Sequence, residues 1–203
     1  RAGPDVDGVR WMEADVRDAA RVSELCEGMD LVVHNASVVH TKRNRETMVR
    51  DVNLGGTQNV LAACRARGVK RLLYVSSASA VYEGKDIENG DESMPYSSVS
   101  QAPYADSKIA AEKEVLAANG PDLATCAIRP HVIFGPGDTR FLPQILSRAR
   151  KGKLKYSVGK GDKLSDFTYI DNLVDAVLAA ADRLGDPDSG VGGRAYFVTN
   201  GEP

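Results

Sequence analysis

The sequence predicts an α/β fold in which a doubly wound parallel sheet carries helices on both faces. Along its 203 residues, short apolar runs alternate with longer segments whose apolar residues recur at helical spacing. This alternation is typical of right-handed βαβ units. Polar residues follow several of the apolar runs, and a parallel sheet gathers such residues at the carboxyl ends of its strands, where ligands bind.

The first part of the chain contains three predicted strands and two predicted helices. Asp18 is a predicted N-cap of the first helix, and Gly68 is the natural stop of the second. The predicted strands span residues 9–14, 30–34 and 70–75, and the predicted helices span 18–29 and 45–66.

The second part continues the same alternation. A helix starts near Tyr104 and continues to Ala118, because good helix formers fill the segment and Asn119-Gly120-Pro121 then ends it. The remaining predicted strands span 123–128, 166–170 and 195–199, and the remaining predicted helices span 141–151 and 171–184.

Composition narrows the class of protein. The formal net charge of −2 does not suggest a nucleic-acid partner, and no apolar run approaches the length of a membrane span. The start of the chain lacks the apolar core of a signal peptide. The widely spaced cysteines are those of a reduced, cytosolic protein. We expect no metal site, because His34, His40 and His131 lack metal-ligand spacing.

One stretch combines residues suited to proton transfer. The apolar strand 70–75 ends at Ser76-Ser77, and Tyr104 stands four residues before Lys108 on one face of the next helix. A nearby ammonium favours a phenolate, and a serine hydroxyl can polarise a substrate oxygen. The alternative is an ordinary helix-start tyrosine with a solvated lysine.

Motifs spread over nearly the whole chain resemble those of one enzyme family. They are DLVVHNAS, VNLGGTQNVLAACRARGVKRLLYVSSASAVYEG, DIENGDESMPY, YADSK, AIRPHVIFGPGD, DFTYIDNLVDA and AYFVTNGEP. In this order they resemble the extended short-chain dehydrogenase/reductases of the 3-beta-hydroxysteroid dehydrogenase branch. Within that branch the chain is most similar to decarboxylating sterol-4-alpha-carboxylate 3-dehydrogenases and to bacterial cholesterol dehydrogenases.

The resemblance implies catalytic roles for three residues. Tyr104 is expected to be the acid/base, Lys108 to tune it and bind the nicotinamide ribose, and Ser77 to orient the substrate oxygen. Counting back from Val81 would place the family's hydroxyl on Ala78 instead, and Ser76 is the reserve candidate for this role.

The resemblance also implies that NAD or NADP is the cofactor. The residues expected to contact it, besides Tyr104 and Lys108, are Asp15, Val16, Asn35, Ala36, Ser37, Asn53, Pro130 and Val132. Several have simpler explanations: Asp15 and Asn35 as turn residues, Asn53 as a backbone-bonded helix residue, and Pro130 as the end of a strand.

The implied fold is a Rossmann-type sheet without its usual N-terminal βαβ unit. Residues 1–130 are expected to form a partial dinucleotide-binding domain, and residues 131–203 to contribute to a substrate domain and to the last strands. The family's GxxGxxG turn, which seats the pyrophosphate, has no counterpart here. We therefore expect an internal fragment whose missing strands would lie beside residues 31–34, and which alone folds poorly and binds cofactor weakly.

The expected activity is oxidation of a sterol 3-beta-hydroxyl to a ketone, with or without decarboxylation at carbon 4. The alternatives are a related epimerase or reductase acting on a sugar nucleotide or another small alcohol, and a non-catalytic fragment. The resemblance leaves open a homodimer, and either a cytoplasmic location or membrane association (at the endoplasmic reticulum in a eukaryote) through parts outside this sequence.

Overall fold

The structure, a computed structural model, describes residues 6–39, 43–156, 159–160 and 162–201. His40 lies outside the described residues. The strands are β1 (Leu31–His34), β2 (Arg71–Val75), β3 (Ala124–Pro130), β4 (Ile133–Phe134), β5 (Thr168–Tyr169) and β6 (Ala195–Val198). The helices are α1 (Ala19–Leu25), α2 (Glu46–Arg50), α3 (Gly56–Arg67), α4 (Pro103–Ala117), α5 (Leu142–Arg150) and α6 (Ile170–Leu184).

The main sheet has four parallel strands in the order β1-β2-β3-β6, which confirms the predicted α/β class. Its register places Leu31 beside Arg71, and Arg71 beside Ala124. Segment 131–203 contributes β6 to this sheet and also forms a second, two-stranded sheet from β4 and β5.

Both faces of the main sheet are covered, as the continuous apolar character of its strands requires. Alternate residues of β2 point to opposite faces. Leu72 and Tyr74 join a core cluster with residues of α1, α3 and α4. Leu73 and Val75 join a second cluster with Leu173 and other residues of α6. The sheet is therefore wound on both sides, and its position fixes α4 against β2 and β3.

One predicted strand is absent. Residues 9–15 are exposed and form no strand, so the prediction of a strand at 9–14 is wrong. A strand needs a neighbour to pair its backbone groups, and the four-stranded sheet does not extend to this segment. Local apolar pattern alone suggested a strand here.

The long helix predicted for 45–66 is present but interrupted. A π-helical turn, Asp51–Gly55, joins α2 to α3. The helix ends at Gly68, whose φ of 71° lies in the left-handed region, as predicted for its stop. Asp18 caps α1 by accepting a hydrogen bond from the backbone N–H of Arg21 at 3.0 Å, also as predicted. Most other predicted boundaries shift by one or two residues.

Two further features concern buried thiols and membrane spans. Cys26, Cys64 and Cys126 are buried and unbridged. Burial raises the pKa of the Cys64 and Cys126 thiols to about 12, so both stay protonated. In the described part of the chain, no helix has the length and apolar character needed to cross a bilayer.

Candidate active site

The candidate site lies at the carboxyl edge of the main sheet. Asn35 follows β1, Ser76 follows β2, and Pro130 is the last residue of β3. Helix α4 begins at Pro103, so Tyr104 and Lys108 lie in its first two turns. The structure therefore brings the predicted catalytic residues to the edge where parallel α/β sheets bind ligands.

Tyr104 and Ser77 form the polar centre of the site. The Ser77 hydroxyl oxygen accepts hydrogen bonds from the Ser79 backbone N–H at 3.2 Å and from the Ser79 hydroxyl at 2.9 Å. Burial raises the pKa of Tyr104, while a side-chain hydrogen bond with Ser77 acts in the opposite direction. The Ser77 side chain is therefore near enough to Tyr104 to affect the ionisation of its hydroxyl.

Lys108 is fixed beneath Tyr104. Its side chain is only 2% exposed, and its Nζ donates a hydrogen bond of 2.6 Å to the carbonyl oxygen of Val75. The Nζ lies 4.6 Å from the ring centroid of Tyr74 and 5.9 Å from that of Tyr104. Burial lowers the pKa of Lys108 to about 8, and the Glu112 carboxylate opposes that shift. Lys108 therefore keeps its proton at neutral pH and loses it near pH 8.

The expected lowering of the Tyr104 pKa by Lys108 is not seen in this geometry. The ammonium is bonded to the carbonyl oxygen of Val75 and lies 5.9 Å from the centroid of the phenol ring, and the effect of burial on the Tyr104 pKa prevails.

Asn53 connects the site to the π-helical turn. It is 1% exposed, its Oδ1 accepts from the Val38 backbone N–H at 2.7 Å, and its Nδ2 donates to the Ser107 hydroxyl at 2.9 Å. The Ser107 hydroxyl in turn donates to the carbonyl oxygen of Tyr104 at 2.7 Å. Both polar atoms of the Asn53 amide are thus engaged within the protein, and this chain of bonds holds the backbone of Tyr104 in place.

The serines after β2 occupy different environments. Ser76 is 2% exposed, and its hydroxyl has no hydrogen-bond partner in the portion of the chain that the structure describes. Ala78 begins a single 3₁₀ turn, Ala78–Ala80, whose N-cap is Ser77. Among these three residues, Ser77 is the one whose side chain acts on the pKa of Tyr104, and it remains our prediction for the oxygen-orienting residue.

The expected cofactor residues fall into two groups. In the first group, which follows β1 and β3, Asn35 and Ala36 are exposed, Ser37 and Val132 are half-buried, and Pro130 is buried. Exposed or half-buried groups at adjacent strand ends fit a ligand lying along this edge.

Asp15 and Val16 form the second group, beside α3. Arg17 forms a bidentate ion pair with the exposed Asp15 carboxylate, and these bonds lower the pKa of Asp15 to about 2. The carbonyl oxygen of Val16 accepts from Asn59 at 2.9 Å. Asp15 is therefore an ionised, accessible acceptor.

His34 is buried between the site and α3. Its Nε2 lies 2.9 Å from the Thr57 hydroxyl oxygen, and its ring centroid lies 5.5 Å from that of Tyr74. Burial, together with the charge of Lys108, lowers the pKa of His34 to about 4. A neutral imidazole therefore lies beside the Lys108 ammonium at neutral pH.

Sequence reasoning missed a buried charged network behind Lys108. The Arg129 Nη2 donates to Glu112 Oε1 at 2.6 Å, and the Tyr96 hydroxyl donates to the same oxygen at 2.8 Å. Two signals pointed to it. Arg129 interrupts an otherwise apolar strand, where a charge requires a partner, and Glu112 is four residues after Lys108 on the same helix.

His131 makes contacts suited to a structural role. Its Nδ1 lies 2.6 Å from the carbonyl oxygen of Asp166, and its ring stacks on Phe167 with centroids 5.9 Å apart. Across the described ranges, no cluster of three or more His, Cys, Asp or Glu residues could hold a metal ion.

The sequence of this chain is similar to a family model and to known proteins about 40% identical to it. The sequence model of the 3-beta hydroxysteroid dehydrogenase/isomerase family matches residues 5–203. Human "sterol-4-alpha-carboxylate 3-dehydrogenase, decarboxylating" is 40% identical over 203 residues, covering 99% of this chain and 54% of the human protein. A Stenotrophomonas maltophilia 2-alkyl-3-oxoalkanoate reductase is 41% identical over 200 residues, covering 98% of this chain and 60% of that protein.

Among solved structures, the protein MoeE5 in complex with UDP-glucuronic acid and NAD superposes with a TM-score of 0.80 at 26% identity. The match covers 100% of this chain and 67% of MoeE5. The chain spans just over half the length of the human relative that it matches.

Proposed function

Since the chain belongs to the 3-beta hydroxysteroid dehydrogenase/isomerase family, we propose that its complete protein oxidises a secondary alcohol to a ketone with a nicotinamide dinucleotide. The observation that carries this proposal is the convergence of Ser77, Tyr104 and Lys108 at the carboxyl edge of the sheet.

The three side chains divide the proton chemistry among them. Ser77 donates a hydrogen bond to the substrate oxygen and holds it beside the Tyr104 hydroxyl. The Tyr104 phenolate accepts the proton of the substrate hydroxyl as the carbon–oxygen double bond forms. Lys108 is held beneath Tyr104 by its bond to the carbonyl oxygen of Val75, and its pKa of about 8 leaves it protonated at neutral pH.

Most, but not all, of the expected residues are placed where they could contact a dinucleotide. A bound NAD or NADP would supply the hydride acceptor that alcohol oxidation requires. Asn35, Ala36 and Ser37 would lie along it, Pro130 and Val132 would back the nicotinamide, and Lys108 would bind the ribose. Asp15 and Val16 would meet the adenine end, where the Asp15 carboxylate is ionised and accessible. We assign Asn53 a positioning role, because its amide already bonds to Val38 and Ser107.

The proposed substrate is a 3-beta-hydroxysteroid or sterol. The sequence motifs and the name of the human relative support a sterol whose carbon 4 carries a carboxylate. Oxidation of its 3-hydroxyl gives a β-keto acid, which loses carbon dioxide readily. A small β-hydroxy acid is the second candidate, because the Stenotrophomonas relative is named a reductase of 2-alkyl-3-oxoalkanoates.

A substrate panel tests this proposal. The protein expressed from the complete coding sequence would be assayed for NAD- and NADP-dependent oxidation of a 3-beta-hydroxysterol, its 4-carboxylate, a 3-hydroxyalkanoate and a UDP-sugar. We expect the highest kcat/KM with the sterols. Turnover of only the hydroxyalkanoate or only the UDP-sugar would contradict the sterol assignment, and turnover of none would favour a binding protein without catalysis.

A further inference from the structure

Helix α5 exposes an apolar stripe. Leu142, Ile145, Leu146 and Ala149 recur at helical spacing, so they share one face of the helix. None of the nine residues of α5 is buried, and Leu146, in the middle of the stripe, is 53% exposed. A helix of a globular protein normally buries such a stripe against a core. Within the described residues, the stripe of α5 therefore has no apolar partner that shields it from water.

Cations surround this stripe. In the sequence, residues 139–161 contain seven Lys and Arg residues and no Asp or Glu, although the whole chain has a formal net charge of −2. The exposed cations on α5 and directly after it are Arg148, Arg150, Lys151, Lys153 and Lys155. In the described ranges none of these five forms an ion pair. A groove of about 380 Å³ on the polar side of α5 is lined in part by Arg148, Lys151 and Lys153. This side of α5 therefore offers positive charge that no described carboxylate neutralises.

Helix α6 provides a contrast. It also exposes apolar side chains, those of Val174 and Leu178. Its exposed charged residues include Asp171, Asp175 and Asp182, whose carboxylates an anionic surface would repel. An exposed apolar side chain on α6 is therefore a suitable control for one on α5.

Aromatic contacts anchor the start of α5 near the end of β3. Phe141 is the N-cap residue of α5, and its ring centroid lies 5.4 Å from that of Phe167. Phe167 in turn stacks on His131, which directly follows the last residue of β3. Helix α5 is thus attached to the protein through its first turn, while its apolar stripe and its cations face outwards.

We propose that α5 docks the protein on an anionic lipid surface. In this arrangement the apolar stripe enters the boundary between headgroups and acyl chains, and the cations contact the charged headgroups. An apolar stripe flanked by Lys and Arg is typical of helices that lie in the plane of a membrane without crossing it. Anionic lipids attract such cations. A soluble phosphate or a nucleic acid would engage the cations but leave the stripe in water, whereas lipid engages both. The docking goes beyond the proposed catalytic function and does not depend on it.

Vesicle flotation of the protein expressed from its complete coding sequence is the first test. We expect binding to vesicles of phosphatidylcholine mixed with phosphatidylserine, weaker binding to phosphatidylcholine alone, and a decrease as salt rises. The triple variant Arg148→Gln/Lys151→Gln/Lys153→Gln should bind the anionic vesicles about tenfold less or weaker still, because each cation near an anionic surface adds several-fold to the affinity. Leu146→Gln should also weaken binding, since it removes apolar surface from the stripe.

Matched substitutions elsewhere serve as controls. The triple variant Arg10→Gln/Arg65→Gln/Lys70→Gln removes the same charge from exposed positions outside α5, and Leu178→Gln removes an exposed leucine from α6. Both should bind vesicles like the parent. All the substituted positions are exposed, so every variant should keep the parental melting temperature, which calorimetry checks.

A fluorescent label reports on α5 directly, even where another part of the complete protein also binds lipid. Leu146→Cys and Leu178→Cys proteins would each carry a solvent-sensitive fluorophore, and any other labelled thiol contributes equally to both. We expect anionic vesicles to shift the emission to the blue for the label at position 146 and to leave the label at position 178 unchanged.

The other possible occupants of α5 give different results. No emission change at position 146, or an equal change at position 178, would overturn the proposal, as would equal loss of flotation in the two triple variants. A change caused by inorganic phosphate without vesicles would indicate a phosphate site instead. A blue shift that grows with protein concentration without vesicles would indicate a second copy of the chain. Because neither measurement needs turnover, a parent protein without alcohol oxidation would contradict the proposed function and leave the docking result intact.

Discussion

The burial of single polar residues sets the proton equilibria of the site. His34, Lys108 and Tyr104 are all removed from water, and in each case burial disfavours the charged form. For His34 the result is a neutral side chain, while Lys108 keeps its charge up to about pH 8. At neutral pH, Lys108 is therefore charged while the neighbouring His34 is neutral.

The low pKa of His34 makes folding stability sensitive to acid. Its folded-state pKa of about 4 lies below the ordinary value of 6.5, so the unfolded chain binds a proton more readily. The stabilisation from a neutral His34 is complete above pH 6.5 and is lost as pH falls towards 4. A shift of this size corresponds to roughly 3 kcal/mol.

We expect the free energy of unfolding to fall across this pH range, and to fall less steeply in a His34→Gln variant, whose amide does not titrate there. Urea unfolding of both proteins at a series of pH values measures the two slopes. Equal slopes would show that the His34 ring is not buried as described.

Among single residues, the sequence predicts the proposed catalytic pair through its spacing. Tyr104 and Lys108 stand four apart at a helix start, a pattern readable without tertiary information. The Glu112–Arg129 pair was not predicted, because its two residues are 17 positions apart in the sequence, one on a helix and one on a strand. Only the packing of the helix on the sheet brings them together. The bond between Asn53 and Ser107 joins residues 54 positions apart and was missed for the same reason.

Among the elements, the helix that follows β1 shows how close packing shapes the site. The π-helical turn Asp51–Gly55 carries Asn53 towards Val38 and Ser107. Immediately after it, a Cβ on Gly56 would lie 2.6 Å from Val16 Cγ2 and 2.9 Å from Val16 Cβ. The glycine therefore allows the loop that contains Val16 to pack directly on the start of α3.

Two neighbouring glycines provide a matched test of this packing. Gly56→Ala should lower the free energy of unfolding by about 1–3 kcal/mol, the usual cost of overpacking. Gly55 has similar helical dihedrals, and a Cβ there meets nothing within 4 Å. Gly55→Ala should therefore be neutral or stabilising, because alanine has the higher helix propensity.

Chemical denaturation of the two variants and the parent measures these differences. Equal stability of Gly55→Ala and Gly56→Ala would contradict the close approach of Val16 to α3.

Predicting elements from the sequence worked where local pattern and tertiary environment agree. The strands β2 and β3 have continuous apolar runs because both faces are buried, and α6 has a clear apolar stripe. The π-helical turn has no sequence signal of its own, since it depends on the contacts of Asn53. The segment 9–14 has strand-like residues, but strand formation also requires a partner that local sequence cannot supply.

At the scale of the whole molecule, β1 is the edge strand of the main sheet. Within the described ranges β1 pairs only with β2, and Val33 on this strand is 44% exposed. An open edge leaves backbone groups without sheet partners. The chain also contains no GxxGxxG turn to seat a dinucleotide pyrophosphate, and it covers 54% of its human relative.

We therefore expect residues 1–203 expressed alone to unfold at a lower temperature than the product of the complete coding sequence and to bind NAD(P) weakly. Scanning calorimetry and dinucleotide titration of both proteins measure the difference. A cooperative transition at the same temperature, with micromolar dinucleotide binding by residues 1–203, would show that this portion is sufficient for folding and cofactor binding.

The central claim is that Tyr104 transfers the proton in NAD(P)-dependent alcohol oxidation. The most direct measurement is kcat/KM for sterol oxidation by the complete protein and its Tyr104→Phe variant, with dinucleotide affinity measured in parallel and Tyr156→Phe as the control. Tyr156 is 92% exposed, so its variant should behave like the parent. We predict that Tyr104→Phe retains dinucleotide binding but loses at least a hundredfold in kcat/KM, as expected for removal of a general acid/base. A Tyr104→Phe protein that oxidises its substrate at the parental rate would contradict the account.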